Sequence, residues 1–238
     1  MKLSVIIPCY NEADNIPFII DRLLHNIMEE AEVILVNNGS TDATEEVLKD
    51  ELSKKAGTGF IRVLKVERNQ GYGHGIKAGL KEAKGEILAW THADLQTDVQ
   101  DVFRAYELYT KYGDRNCFIM GRRESRDLID NFFTRGMGFA ASLALGQNME
   151  DINSQPKLFH RTFLDELTRA PDDFSLDLYA LFIAKRNNMI IWEIPVVYGQ
   201  RKYGYAKGGG SLGNKWALAE RTLKYILQLR KDIKQGIR

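Results

Sequence analysis

Apolar and polar positions along the first 120 residues fall into two alternating rhythms. Short β-branched runs stand at Leu3–Pro8, Val33–Val36, Ile61–Val66, Ile87–Thr91 and Cys117–Gly121. Amphipathic segments fill the intervals near 14–29, 42–54, 73–84 and 98–112. Strands alternating with helices predict an α/β fold, a largely parallel sheet covered by helices on both faces. Right-handed crossovers then put each strand-to-helix loop on one edge of the sheet, where such folds bind ligands. Local signals agree. Asp42 or Thr41 suits the N-cap of a helix through Ala43–Asp50, with Glu45 in its first turn, and Gly85 stands where a helix through Lys84 would end. Gly71, Gly73 and Gly75 are spaced G-x-G-x-G, which is not the dinucleotide fingerprint G-x-G-x-x-G, so they predict a tight turn opening the 73–84 helix.

The second half is less regular. Residues 128–146 form an apolar helix whose only charges are Asp130 and Arg135. A polar loop through Gln155-Pro156 follows, then helices near 162–169 and 175–188 and a strand at Met189–Val197. After a Gly-rich basic loop (RKYGYAKGGGSLG), the pattern predicts a final helix over about 214–235. Residues 215–238 carry Lys215, Arg221, Lys224, Arg230, Lys231, Lys234 and Arg238 against Glu220 and Asp232, with Trp216, Leu223, Ile226, Leu227 and Ile233 between them. Such a basic amphipathic helix suits an anionic leaflet, and equally a helix packed on the domain with a solvated face.

Composition narrows the class. At 238 residues and 44% hydrophobic content, one α/β domain is expected. The net charge of +1 lacks the broad basic field that nucleic-acid binding uses. The two cysteines, Cys9 and Cys117, each adjoin an apolar run and suit reduced core thiols, which favours a cytoplasmic protein. No secretory leader is recognised at the N-terminus, and no window approaches 18 consecutive apolar residues.

Three motifs stand where strands should end. Pro8-Cys9-Tyr10-Asn11-Glu12 offers a ring for stacking on a nucleobase and a carboxylate for ribose or base. Val36-Asn37-Asn38-Gly39-Ser40-Thr41-Asp42 is rich in hydrogen-bonding groups around a turn glycine. Thr91-His92-Ala93-Asp94-Leu95-Gln96 would, on extended backbone, turn His92, Asp94 and Gln96 to one side, a donor set suited to a divalent ion that also holds phosphate. Mg²⁺ prefers oxygen, so a coordinating His92 favours Mn²⁺. Each motif alone also suits an ordinary turn and helix cap.

Taken together they resemble the family 2 glycosyltransferases of the GT-A fold, in the polyprenyl-phosphate (dolichyl-phosphate mannose synthase-like) branch. The resemblance runs from Val5 to about Gly213. It is carried by IIPCYNEADNI, LVNNGSTDAT, RNQGYGHGIKAGLKEAKGEIL, HADLQTD, GRR, DINSQPKLF, FSLDLYAL, EIPVVYGQR and YGYAKGG in that order. It implies a Rossmann-like, mostly parallel central sheet. Residues 1–121 would form a nucleotide-sugar half, 122–213 an acceptor half with a lid loop, and 214–238 the amphipathic helix. It also implies that Pro8, Tyr10, Glu12, Val36 and Asn38 hold the nucleoside, with His92 and Ala93 contacting the donor. Asp94 and Gln96 match metal ligands for Mg²⁺ or Mn²⁺, Arg123 matches a phosphate contact, and Arg201 and Lys207 match basic groups that close over the diphosphate. Three positions depart from the pattern. Asn37-Asn38 replaces Asp-Asp, His92 replaces the first acid of Asp-x-Asp, and Asp130 stands where the branch carries a basic acceptor contact.

The expected reaction is inverting sugar transfer from a UDP- or GDP-sugar to a lipid phosphate, at the inner face of the membrane. A phosphate acceptor is anionic and needs no general base, whereas a glycan hydroxyl would, with Asp177 and then Asp151 as candidates. A nucleotidyltransferase is disfavoured, because PCYNEADN lacks a phosphate-cradling loop with Lys or Arg. A non-catalytic nucleotide-sugar-binding relic is the other alternative.

Overall fold

The computed structural model describes residues 2–26, 28–124, 128–199 and 212–236, with side chains except over 128–135 and 212–218. Its seven strands are β1 (Leu3–Cys9), β2 (Ala31–Asn38), β3 (Ile61–Val66), β4 (Ile87–Trp90), β5 (Cys117–Arg123), β6 (Lys157–His160) and β7 (Ile190–Val196). They form one sheet in the order β3-β2-β1-β4-β6-β5-β7. All pairings are parallel except those of β6, which runs antiparallel to β4 and β5. The helices are α1 (Ile16–His25), α2 (Thr44–Lys54), α3 (Tyr72–Glu82), α4 (Gln100–Tyr112), α5 (Leu128–Leu145), α6 (Ser175–Arg186) and α7 (Leu212–Lys234).

Side-chain alternation along the strands divides the core into two layers. Val5, Ile7, Val33 and Leu35 pack with α1, α2 and α4 on one face. Ile6, Ile34, Val36 and Trp90 pack with α3 and α6 on the other. That second layer also takes Ala141 of α5 and Ile226 and Leu229 of α7, so the last helix shares the domain core. Among the described residues no helix is long and apolar enough to cross a membrane.

Five expectations are corrected. The polar loop through Gln155-Pro156 leads into β6, a four-residue strand too short to show a period, whose Lys157 is buried by pairing with Trp90 and Met120. The helix expected at 162–169 is a 3-10 segment, Arg161–Leu167. Gly85 does not cap a helix; a Cβ there would stand 2.6 Å from Ser4 N, so glycine lets the chain approach β1. His160, which its sequence context suits to an ordinary surface or helix position, is instead buried at the end of β6 beside Thr162 and Glu86. The helix after Ser40 starts one residue later than expected: its N-cap is Ala43, and Asp42 Oδ1 accepts the N–H of Thr44 at 3.0 Å from the turn before it. Cys9 and Cys117 are buried thiols outside any disulfide, and burial pushes the Cys117 thiol up to about 11.

Candidate active site

Six parallel strands end on one edge of the sheet, and β6, running the other way, begins there. The loops after β1, β2 and β4 therefore lie beside the 154–156 turn. The first two are knitted together. Asn11 N–H donates to Ser40 Oγ at 3.0 Å, Glu12 N–H donates to Thr44 Oγ1 at 2.9 Å, and Thr41 N–H donates to Asn11 Oδ1 at 2.8 Å. Glu12 accepts from Asn15 Nδ2 at 2.5 Å, while Pro8 pairs with Val36 across the two strands. Tyr10 is half-buried just beyond β1.

Asn37 and Asn38 end β2 on opposite faces and are both buried. Asn37 Oδ1 closes the turn by accepting the N–H of Ser40 at 3.1 Å. Asn38 Nδ2 donates to Gly71 O at 2.9 Å, and its Oδ1 is buried with no hydrogen-bond partner among the described residues. A group of that kind costs stability unless something reaches it, which marks Asn38 as the asparagine with unused capacity.

Beyond β4 the backbone is not extended as the sequence suggested, because Leu95 takes φ 57°. His92 and Asp94 nonetheless face one another, with Nδ1 3.9 Å from Oδ2, and Ala93 is buried between them. Gln96 follows them: its backbone N–H donates to Asp94 Oδ1 at 3.1 Å and its side-chain Nε2 donates to Gly199 O at 3.5 Å. Nε2 of His92 is buried without a hydrogen-bond partner among the described residues.

The donor set suits a divalent ion held jointly with a ligand. Among the described residues no three His, Cys, Asp or Glu side chains gather into a metal cluster. An ion here would take further ligands from phosphate oxygens, the usual arrangement for nucleotide-bound Mg²⁺. Ligands at about 2.1 Å from an octahedral ion stand about 3.0 Å apart when adjacent and about 4.2 Å when opposite. The 3.9 Å between His92 and Asp94 lies between those two spacings, so a small side-chain adjustment would bring both onto one ion.

Arg123 ends β5, with its guanidinium 3.8 Å above the Tyr198 ring and Nη2 donating to Asn153 O at 3.2 Å. Its N–H meets Asp151 Oδ2 at 3.3 Å. Arg201 and Lys207 lie outside the described residues, as do the lid loop and Arg126, and the Asp130 side chain is likewise not described.

Asp177 opens α6 but does not open onto solvent, being 1% exposed. Its Oδ1 accepts from Trp90 Nε1 at 2.9 Å, and Gln155 Nε2 stands 3.1 Å from each carboxylate oxygen. Sequence reasoning assigned no role to Trp90, Gln155, Tyr72, Lys157 or Tyr198. Gln155 lay inside a quoted motif and Tyr72 between two noted glycines, but separations of 22 to 87 residues hid their convergence.

Comparison with known proteins agrees with this layout. The family model described as Glycosyl transferase family 2 matches residues 4–168. The chain is 26% identical over 209 residues to the undecaprenyl-phosphate 4-deoxy-4-formamido-L-arabinose transferase of Pseudomonas fluorescens (strain Pf0-1), covering 86% of this chain and 59% of that protein. Against the transferase of the same name from Salmonella choleraesuis (strain SC-B67) it is 27% identical over 215 residues, covering 87% and 62%. The chain thus spans about three fifths of the length of these relatives. Glucosyl-3-phosphoglycerate synthase from Mycobacterium tuberculosis, solved with Mn²⁺, UDP and glucosyl-3-phosphoglycerate, superposes with a TM-score of 0.73 at 19% identity, covering 96% of this chain and 79% of that one. That likeness concerns the GT-A fold. The family match takes in the ends of β1, β2 and β4 together with the 154–156 turn, and the chain belongs to glycosyl transferase family 2.

Proposed function

We propose that this chain is an inverting, metal-dependent glycosyltransferase that moves a sugar from a UDP- or GDP-sugar to a polyprenyl phosphate. The observation that carries it is the placement of the His92–Asp94 pair after β4 and of Asn38 at the end of β2, all on the carboxyl edge of the parallel strands and each buried or nearly so. Asn38, with its unused Oδ1, and the Tyr10–Glu12 loop would receive the nucleoside, Pro8 and Val36 forming the adjoining strand wall. Asp94 and His92, with Gln96 beside them, would hold Mg²⁺ or Mn²⁺. When bound, that cation offsets the charge that develops on the departing diphosphate. Arg123 would add positive charge from β5, and Arg201 and Lys207 would close over the diphosphate.

A phosphate acceptor is supported in two ways. The relatives above are named for undecaprenyl phosphate. A hydroxyl acceptor would need a carboxylate within reach of its proton, and Asp177, the first of the two candidate bases, is enclosed by its own hydrogen bonds, which leaves only Asp151 for that role. The surface is consistent with peripheral attachment at the inner face of the membrane. Phe139 and Leu143 of α5 are 72% and 74% exposed, and Leu223 and Leu227 of the adjoining α7 are also exposed. Arg221, Lys224, Arg230, Lys231 and Lys234 stand exposed around the latter pair.

Thermal unfolding with UDP, GDP, CMP or dTDP, each with and without Mn²⁺, tests the donor site. One nucleoside diphosphate at about 100 times its Kd adds roughly 2.7 kcal/mol, or about 5–10 °C for a chain of this size, provided metal is present. Asp94→Asn is expected to remove that shift while leaving the unliganded midpoint nearly unchanged. A shift indifferent to Mn²⁺, or none with any nucleotide, would move the assignment to a relic without the metal site.

A further inference from the structure

We propose that Asp177 is a positioning residue: with Gln155 and Tyr72 it forms a buried chain that fixes the imidazole of His92 against the donor site. The inference rests on the donor-site reading of His92 and goes beyond it, because it reassigns the enclosed carboxylate and gives roles to two residues with none.

The geometry is continuous. Trp90 at the end of β4 donates its indole N–H to Asp177 Oδ1 at 2.9 Å. Gln155 Nε2 stands 3.1 Å from both oxygens of Asp177 and 3.3 Å from the hydroxyl of Tyr72. The Gln155 amide must point this way, since turning it over would aim Oε1 at the carboxylate. Asp177 thus meets two donors, the indole and the amide, and 1% of its surface is open. A general base needs the acceptor's proton within hydrogen-bond reach, and nothing of an acceptor's size can approach this carboxylate.

The chain ends on His92. A metal-ligating imidazole is ordinarily oriented by a hydrogen bond from its second ring nitrogen. His92 Nε2 is buried and has none among the described residues. The contact that sets its plane is the Tyr72 ring, edge-on at 5.3 Å and 83°, and Tyr72 is itself clamped by Phe174 stacked at 4.8 Å and 10°. Four separate elements meet here: the end of β4, the turn before β6, the first residue of α3 and the first turn of α6. Gly121 on β5 lets the turn come this close, because a Cβ there would collide with Gln155 O.

The test uses the purified full chain and two readouts. The imidazole signals of His92 are followed by ¹H–¹⁵N NMR, assigned by their loss in His92→Gln. The affinity for Mn²⁺–UDP is measured by calorimetry. Tyr72→Phe and Gln155→Ala keep the fold's apolar contacts, and each is expected to move the His92 signals and to weaken Mn²⁺–UDP binding by about tenfold, the usual effect of losing an outer partner of a metal ligand. Asp177→Asn should do the same and leave the pH profile of the residual donor-hydrolysis rate unchanged in shape. Unmoved His92 signals in both Tyr72→Phe and Gln155→Ala overturn the proposal. So does Asp177→Asn that binds Mn²⁺–UDP like the parent yet loses the acidic limb of the rate profile, the behaviour of a base. Should the parent chain fail to bind Mn²⁺–UDP, the donor assignment falls, while the NMR arm still decides whether the chain orients His92.

Discussion

At the scale of single residues, the site is a set of polar groups held in an apolar frame, and each carries a measurable cost. Lys157 is the plainest. Its side chain is fully buried on β6, its ammonium donates to Ser154 O at 2.6 Å, and burial lowers its pKa to about 8 despite the opposing charge of Asp177. Because the folded value lies below the unfolded 10.5, the unfolded chain holds more protons between about pH 8 and 10.5, and stability should rise with pH across that window. The full effect is at most about 3 kcal/mol. Urea denaturation at pH 7.5 and 9.5 is expected to show that rise in the parent and a smaller one in Lys157→Met. Equal slopes in the two would mean that Lys157 is not held in a depressed state. Residue types and their order marked Asp94, His92 and Asn38 as candidates before any coordinates. They could not distinguish Asn38, with an idle oxygen, from Asn37, which spends its own on Ser40. Nor did they show that Asp177, a candidate base, would be enclosed.

At the scale of elements, glycine decides how closely α3 approaches the sheet. Gly75 and Gly79 lie one turn apart on the buried face of α3, and a Cβ at Gly79 would stand 2.5 Å from Ile6 Cγ2 and 3.0 Å from Val36 Cγ2. Gly79→Ala is therefore expected to destabilise the fold by about 1–3 kcal/mol through overpacking, lowering the melting midpoint by several degrees without altering nucleotide preference. Gly75→Ala should act differently, since its Cβ would press on the Asn38 side chain at 2.8 Å. Calorimetric titration should show weakened nucleotide binding out of proportion to any loss of stability. The G-x-G-x-G spacing was legible as a turn, and Gly71 does take φ 123° at the helix start. The packing role of the later glycines was not legible, because which face of α3 meets Ile6 and Asn38 depends on elements about 40 to 70 residues away. β6 escaped detection for a similar reason. Four residues carry too little periodicity, and its stability comes from pairing on both sides.

At the scale of the whole molecule, α5 and α7 pack together over the second core layer and leave Phe139, Leu143, Leu223 and Leu227 outward among exposed lysines and arginines. Apolar side chains entering a lipid interface, with cations drawn to anionic headgroups, would bind vesicles in a salt-sensitive way. Co-sedimentation with phosphatidylglycerol-containing vesicles is expected to exceed that with neutral vesicles and to fall as salt rises. The double variant Phe139→Ser, Leu143→Ser should bind about tenfold more weakly or worse. Equal sedimentation with neutral and anionic vesicles would remove the membrane from the account. The sequence by itself determined the α/β class, the ligand-binding edge and the motifs that place the chain in its family, because those follow from local periodicity and from side chains close together along the chain. Only the tertiary structure decided the reversed β6, the convergence of Trp90, Gln155 and Tyr72 on Asp177, and the burial that closes that carboxylate. These depend on contacts between residues far apart in the chain, whose free energy exists only once the sheet has assembled.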